Sequence, residues 1–149
     1  MPSTGRRVLA DVNVWLATLV EQHPHHTHAI EWWQTEVLPQ RRTACFCRVT
    51  QLGLLRLLTN AAIMGPSRKT CEQAWSHYDR LLEQPVVEYI DEPSGLTDRL
   101  RGHTRGQDPS ASLWTDAYLA SFAQTADLEL ATFDRGFRRF SGVQLKTLG

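Results

Sequence analysis

Short apolar runs alternate along the chain with longer stretches in which apolar positions recur every three or four residues. That alternation predicts an α/β fold with a parallel sheet. Residues 7–9 open a first strand, and 14–21 read as a helix that ends near His23-Pro24, because a proline disfavours helical backbone in the residue before it. Residues 27–38 predict a second helix, with Ile30, Trp33 and Val37 on one face and Pro39 closing it. A short strand at 43–46 is followed by a strongly helical run at 49–59. A helix at 66–83 has Ser67 as its cap and Cys71, Ala74, Tyr78 and Leu81 inward. A strand at 86–90 and a helix at 94–103 lead to a loop marked by Gly102, Gly106 and Pro109. A helix at 113–125, a strand at 128–131, a turn at 133–137 and a last strand at 143–146 complete the pattern. No repeat or long linker divides it.

Two acids stand out against this pattern. Asp11 directly follows the apolar run Val8-Leu9-Ala10, and Asp134 comes after the strand-like segment at 128–132, with Phe133 between. Open α/β sheets bind ligands at the carboxyl ends of their strands, so acids at two such ends can converge although far apart in sequence. Asp116 opens a predicted helix and also sits at an element end. Clustered carboxylates repel unless a cation is present, and Mg²⁺ or Mn²⁺ takes such oxygen ligands and completes its shell with water and phosphate. Each acid also has a local explanation. Asp11 can cap the following helix, Asp116 can favour a helix dipole, and Asp134 before Arg135-Gly136 can be a turn residue.

Composition narrows the classes. The 149 residues fit one domain spanning 1–149 with its own core, and 42% hydrophobic and 21% charged residues are ordinary for a globular protein. The 16 basic and 16 acidic residues cancel, which argues against a generic polyanion binder but leaves room for a nucleic-acid enzyme with local patches. No apolar run approaches the roughly 20 residues of a membrane helix. The basic-then-apolar N-terminus is interrupted by Asp11 and Asn13 and lacks a small-residue cleavage site, so the protein reads as cytoplasmic. Cys45, Cys47 and Cys71 suggest no disulfide framework and read as small buried hydrophobes. His23, His25, His26 and His28 read as a solvated helix start. Trp32 and Trp33, adjacent on one helix, predict that one of them faces a partner.

Three blocks carry a resemblance. VLADVNVWLA is similar to the first motif of PIN domains, a strand ending in aspartate with Asn or Ser two residues on. TDAYLASFA resembles the helix-opening aspartate motif of that family, and LELATFDRGF its closing Thr-x-Asp motif. The blocks occur in the family's order over nearly the whole chain, and VTQLGLLRLLTN resembles the third helix of the VapC-type toxins of bacterial toxin–antitoxin systems. The resemblance implies a three-layer α/β/α sandwich around a mainly parallel sheet, and endonuclease activity on RNA with Mg²⁺ or Mn²⁺, transfer RNA being a common target. It also implies a homodimer neutralised by a cognate antitoxin.

Carried onto this sequence, the resemblance places Asp11, Asp116 and Asp134 on the acidic metal positions, Asn13 on the polar position that orients Asp11, and Thr132 on the hydroxyl that supports Asp134. The family's glutamate on the helix at 49–59 is here Gln51, which implies one negative charge fewer and weaker metal binding. Asp108, as a substitute acid, reads more naturally as a turn before Pro109. The rival reading is a PIN-like module that binds RNA or antitoxin without cutting. An aspartate-nucleophile phosphatase would want Asp-x-Asp at the first strand, where this chain has Asn13. Arg48, Arg56, Arg135 and Arg138 are candidates for holding phosphates bidentately, Arg56 foremost among them.

Overall fold

The structure, a computed structural model, describes residues 6–149. The first five positions of the stretch weighed above as a leader lie outside the described residues. Five strands form one sheet: β1 (Arg6–Ala10), β2 (Arg42–Phe46), β3 (Val87–Tyr89), β4 (Glu129–Thr132) and β5 (Gln144–Thr147), in the order β3-β2-β1-β4-β5. Every neighbouring pair is parallel. The helices are α1 (Val12–Leu19), α2 (His26–Trp32), α3 (Arg48–Leu58), α4 (Ala61–Met64), α5 (Cys71–Glu83), α6 (Leu96–Thr104) and α7 (Leu113–Thr125).

A parallel sheet covered on both faces needs strands that are apolar at every position, not at alternate ones. Val8, Leu9, Ala10, Ala44, Cys45, Phe46, Leu130 and Ala131 are accordingly all fully buried. One core contains Val8, Ala10, Phe46 and Ala131 with Trp15 of α1, Leu54 of α3 and Tyr78 of α5. The other contains Leu9 and Leu130 with Leu119 and Phe122 of α7 and Leu96 of α6. This is the three-layer α/β/α arrangement. The Trp15 indole stacks on Phe46 with centroids 3.9 Å apart and planes 9° from parallel, anchoring α1 to the sheet.

Strand order places the site. The chain builds outward from β1 to β2 and β3, then crosses back to lay β4 on the other side of β1. The order reverses between β1 and β4, and such a switch point opens a crevice at the carboxyl ends of the two strands. Asp11 leaves β1 there, and its own amide extends the ladder by donating to the Ala131 carbonyl at 2.9 Å.

Several expectations are corrected. The helix predicted over 66–83 begins later, at Cys71, because Thr70 and Gln73 form a reciprocal capping box. Pro66 lies instead in a 3₁₀ turn, Gly65–Ser67, and Cys71 is exposed on the first turn of α5. The short α4, capped by the Asn60 side chain, had no pattern of its own in the sequence. Trp32 and Trp33 both join the same core. At Trp33 the helix widens into a π turn, Trp33–Val37, with the Leu38 amide donating to the Trp33 carbonyl, and the altered rotation brings both indoles inward. Trp33 meets Trp15 edge-on at 6.1 Å. The strongly exposed tryptophans are Trp75 and Trp114.

The contact between α1 and α3 depends on Gly53. A Cβ built there would lie 2.6 Å from Val12 Cγ2 and 3.2 Å from Val12 Cγ1. Valine has no flexible end to move aside, so a side chain must push the helices apart. Gly53→Ala gains about 1 kcal/mol of helix propensity but meets an overpacking cost of about 1–3 kcal/mol. A net loss of stability of roughly 1 kcal/mol is the expected result, read from the midpoint of urea unfolding.

Candidate active site

The crevice between β1 and β4 is organised by one buried hydroxyl. Thr132, at the end of β4 and 0% exposed, donates from Oγ1 to Asp11 Oδ2 at 2.9 Å. The same oxygen accepts from the Asp134 amide at 3.0 Å. Asp11 Oδ1 accepts from the Val12 amide at 2.8 Å, so both of its oxygens are held in place while it caps α1. Asp134 Oδ1 accepts from the Gly136 amide at 2.7 Å and caps the short 3₁₀ helix Arg135–Arg139, leaving an exposed carboxylate at the rim. The local caps anticipated for Asp11 and Asp134 are thus real. They coexist with convergence, and they fix the direction of each carboxylate.

Asp116 enters from the first turn of α7. Its Oδ2 pairs with Arg139 Nη2 at 3.2 Å, with the Asp116 side chain only 14% exposed. The electrostatics tie the three acids together. Burial pushes the Asp11 carboxyl above its ordinary value, the Thr132 hydroxyl and the Val12 amide pull it back, and the charges of Asp116 and Asp134 push it up again. Burial also raises Asp116, against the downward pull of the Arg139 guanidinium, and the charge of Asp134 adds to the rise. Arg139 is the cation paired with an acid of this cluster among the described residues. Three carboxylates therefore share one compensating positive charge.

Among the described residues no three acidic, histidine or cysteine side chains are closed around a common point as a finished metal cage. That does not count against a hard divalent cation. Mg²⁺ is usually held by one or two carboxylates and several waters, and leaves room for substrate phosphate. All-oxygen donors, a surplus of negative charge and a rim open to solvent fit such an ion.

The other expected residues fall in different places. Asn13 is exposed and lines a groove with Leu16, Val20 and Met64, and the orienting of Asp11 is done by Thr132 and Val12. Gln51 is 6% exposed; its carbonyl oxygen accepts from Arg48 Nη1, and it also reaches the Tyr78 hydroxyl. Arg56 is exposed on the flank of α3 that faces α5, in a groove with Thr59, Cys71 and Trp75. Arg135 and Arg138 are exposed. Arg139 is the residue that sequence reasoning missed. The run Arg135-Gly-Phe-Arg138-Arg139 contained it, but only the tight 3₁₀ turn brings its guanidinium back over Asp116. The histidine group forms no metal site: His25 stacks on Phe133 at 4.4 Å, and a ring nitrogen of His26 meets the Ala17 carbonyl.

A profile of the PIN domain matches residues 8–143 and so takes in all three acids. The chain belongs to the PIN domain family. Its relatives within that family include Ribonuclease VapC41 of Mycobacterium tuberculosis, 38% identical over 145 residues that cover 95% of this chain and 98% of that protein. Ribonuclease VapC29 of the same organism is 28% identical and covers 91% of each. Among solved structures, this PIN domain superposes on VapBC2 from Rickettsia felis, bound to a DNA fragment from its promoter, with a TM-score of 0.70. That alignment is 17% identical and covers 96% of this chain and 99% of the other. Mycobacterium tuberculosis VapC20, described as a sarcin-ricin loop cleaving toxin, superposes with a TM-score of 0.65 at 13% identity, covering 92% and 97%. Both share the fold.

Proposed function

We propose that this PIN domain is a divalent-metal-dependent endoribonuclease, the toxin of a toxin–antitoxin pair, with Asp11, Asp116 and Asp134 as its metal-binding carboxylates. The observation that carries the reading is the Thr132 bridge. One buried hydroxyl joins the backbone beyond β4 to the carboxylate beyond β1, at the sheet's switch point, beside a third acid from α7.

Asp11 and Asp134 would hold the cation, and Asp116 would share in holding it while its Oδ2 stays paired with Arg139. When bound there, Mg²⁺ or Mn²⁺ supplies neutralisation of phosphate charge and a coordinated water of lowered pKa, as in metal-assisted hydrolysis. The chain's own part is to fix the oxygens. Thr132 and the Val12 amide fix Asp11, and the Gly136 amide fixes Asp134. Arg139 would hold Asp116 in place at the edge of the site, since its Nη2 pairs with Asp116 Oδ2 while its Nη1 donates to the Gly136 carbonyl.

Several solved relatives are toxin–antitoxin complexes, VapBC2 of Rickettsia felis and VapBC-1 of nontypeable Haemophilus influenzae among them. On that likeness we assign a protein antitoxin as this chain's partner. No helix among the described residues is long and apolar enough to cross a membrane, and the proposed site of action is the cytoplasm, where RNA is available.

The test is direct. The purified protein is incubated with structured RNAs in Mg²⁺ or Mn²⁺, and again after chelation. Cleavage that chelator stops and added metal restores is the expected outcome. Binding without cleavage would favour a module that does not cut, and cleavage indifferent to chelator would overturn the metal assignment.

A further inference from the structure

We infer that Arg48 is a binding site for a backbone phosphate of the RNA, and that Gln51 serves it by being neutral. This rests on the nuclease reading and extends it along the sheet edge. The family resemblance made Gln51 a weakened metal ligand; the structure gives it a different neighbour.

The sheet register locates Arg48. Leu9 is opposite Cys45 across β1 and β2, so Asp11 is level with Cys47, the N-cap of α3. On the far side, Phe46 is opposite Tyr89 of β3. Arg48 leaves the same carboxyl edge as Asp11, one strand further on. With strands about 5 Å apart, its head group over Tyr89 of β3 stands about two spacings from Asp11 beyond β1. That is the reach of a phosphate neighbouring the one at the metal, not of the scissile phosphate itself.

The guanidinium is held ready on two sides. Its carbon lies 5.2 Å from the centre of the Tyr89 ring. Its Nη1 donates to Gln51 Oε1, and Gln51 is in turn buried and in contact with the Tyr78 hydroxyl. Arg48 is nevertheless exposed and forms none of the three ion pairs among the described residues. An arginine gripped by neutral groups keeps its whole charge and its remaining donors for an anion, and the planar fork matches a phosphate. A glutamate at 51 would spend that charge within the protein. The neutral amide therefore orients Arg48 without competing with phosphate, and the aspartates nearby repel any other strongly anionic approach that lacks a cation.

Binding is measured with polyuridylate in an Asp134→Asn background across a range of salt, and metal affinity separately, from the shift in melting temperature with added Mn²⁺. Cleavage is measured in the otherwise native sequence. Arg48→Ala is expected to raise KM several-fold with kcat little changed. It should also reduce the magnitude of the logarithmic salt slope by about 0.7, the value for one phosphate contact on a single strand. Arg48→Lys should recover the slope and part of the KM, because charge returns without the fork. Gln51→Glu should weaken RNA binding and reduce the slope in the same way, leaving the Mn²⁺ shift unchanged. A larger Mn²⁺ shift and faster cleavage in Gln51→Glu would make residue 51 a metal position and overturn the inference. So would an unaltered salt slope in Arg48→Ala. If the native protein cuts no RNA, the nuclease reading fails, but the salt slopes still decide for or against the phosphate site.

Discussion

Asp11→Asn is expected to abolish RNA cleavage, by at least about a thousandfold, while raising the melting temperature of the metal-free protein at neutral pH. Both effects come from one carboxylate. On the catalytic side, Asp11 has both oxygens fixed by donors and faces the switch-point crevice. On the proposed reading, losing its charge removes a ligand to the cation, which would contribute several kcal/mol of charge stabilisation, and a thousandfold is about 4 kcal/mol. On the stability side, burial and the charges of Asp116 and Asp134 raise the Asp11 pKa in the folded protein. A carboxyl with a raised folded pKa binds its proton more tightly folded than unfolded. The stability that proton contributes is present below the folded pKa and is lost as pH rises through it. Without metal, the native protein should therefore become less stable as pH climbs from just above the ordinary carboxylate value through the raised one. Asp11→Asn should flatten that decline. Added Mn²⁺ should reverse it in the native protein, by about 2.7 kcal/mol at a hundred times Kd, and do less in the variant. Thermal unfolding at several pH values with chelator or Mn²⁺, alongside a cleavage assay, checks both. Retained cleavage would remove Asp11 from the site, and a lower melting temperature would show that its charge stabilises the fold.

How far the sequence reveals this site can be judged residue by residue. The approach of Asp11 to Asp134 is legible because each stands just beyond a strand, and parallel topology brings the ends of β1 and β4 together, whereas Asp116 of α7 is legible only as an acid opening a helix. The inner strands are legible because burial on both faces leaves them no polar position. Arg139 is not legible, since five residues of 3₁₀ turn decide which of three nearby arginines meets Asp116. The inward turn of both Trp32 and Trp33 is not legible either, because it needs a π turn that no residue type signals. Gln51 is the instructive case. Its spacing on α3 matches a family position, but its direction is set by two groups in other places, the Arg48 head and Tyr78 of α5. A motif fixes where a side chain starts, and only packing fixes what it meets.

Thr132→Val is the substitution with the next largest expected effect, and it separates positioning from charge. Valine keeps the volume and the β-branched shape, so the fully buried site at the end of β4 still fills. What disappears is the oxygen that donates to Asp11 and accepts from the Asp134 amide. Asp11 then keeps only the Val12 amide, and the Asp134 amide loses its partner. Leaving such groups unpaired costs about 1–3 kcal/mol of stability. Loss of a residue that orients a metal ligand lowers metal affinity or activity by roughly 10–100-fold. A further consequence separates this role from a general loosening of the fold. The Thr132 hydroxyl lowers the Asp11 pKa, so its removal raises that pKa further. A carboxylate with a higher pKa reaches its ionised form only at higher pH. The acid limb of kcat/KM against pH is therefore expected to move upward in Thr132→Val. Thr132→Ser, which keeps the hydroxyl, should return the limb close to its native position even if it folds less stably. A Thr132→Val enzyme that is slower but has an unmoved acid limb would mean that the hydroxyl does not govern Asp11, and the bridge between β1 and β4 would then be a feature of packing alone.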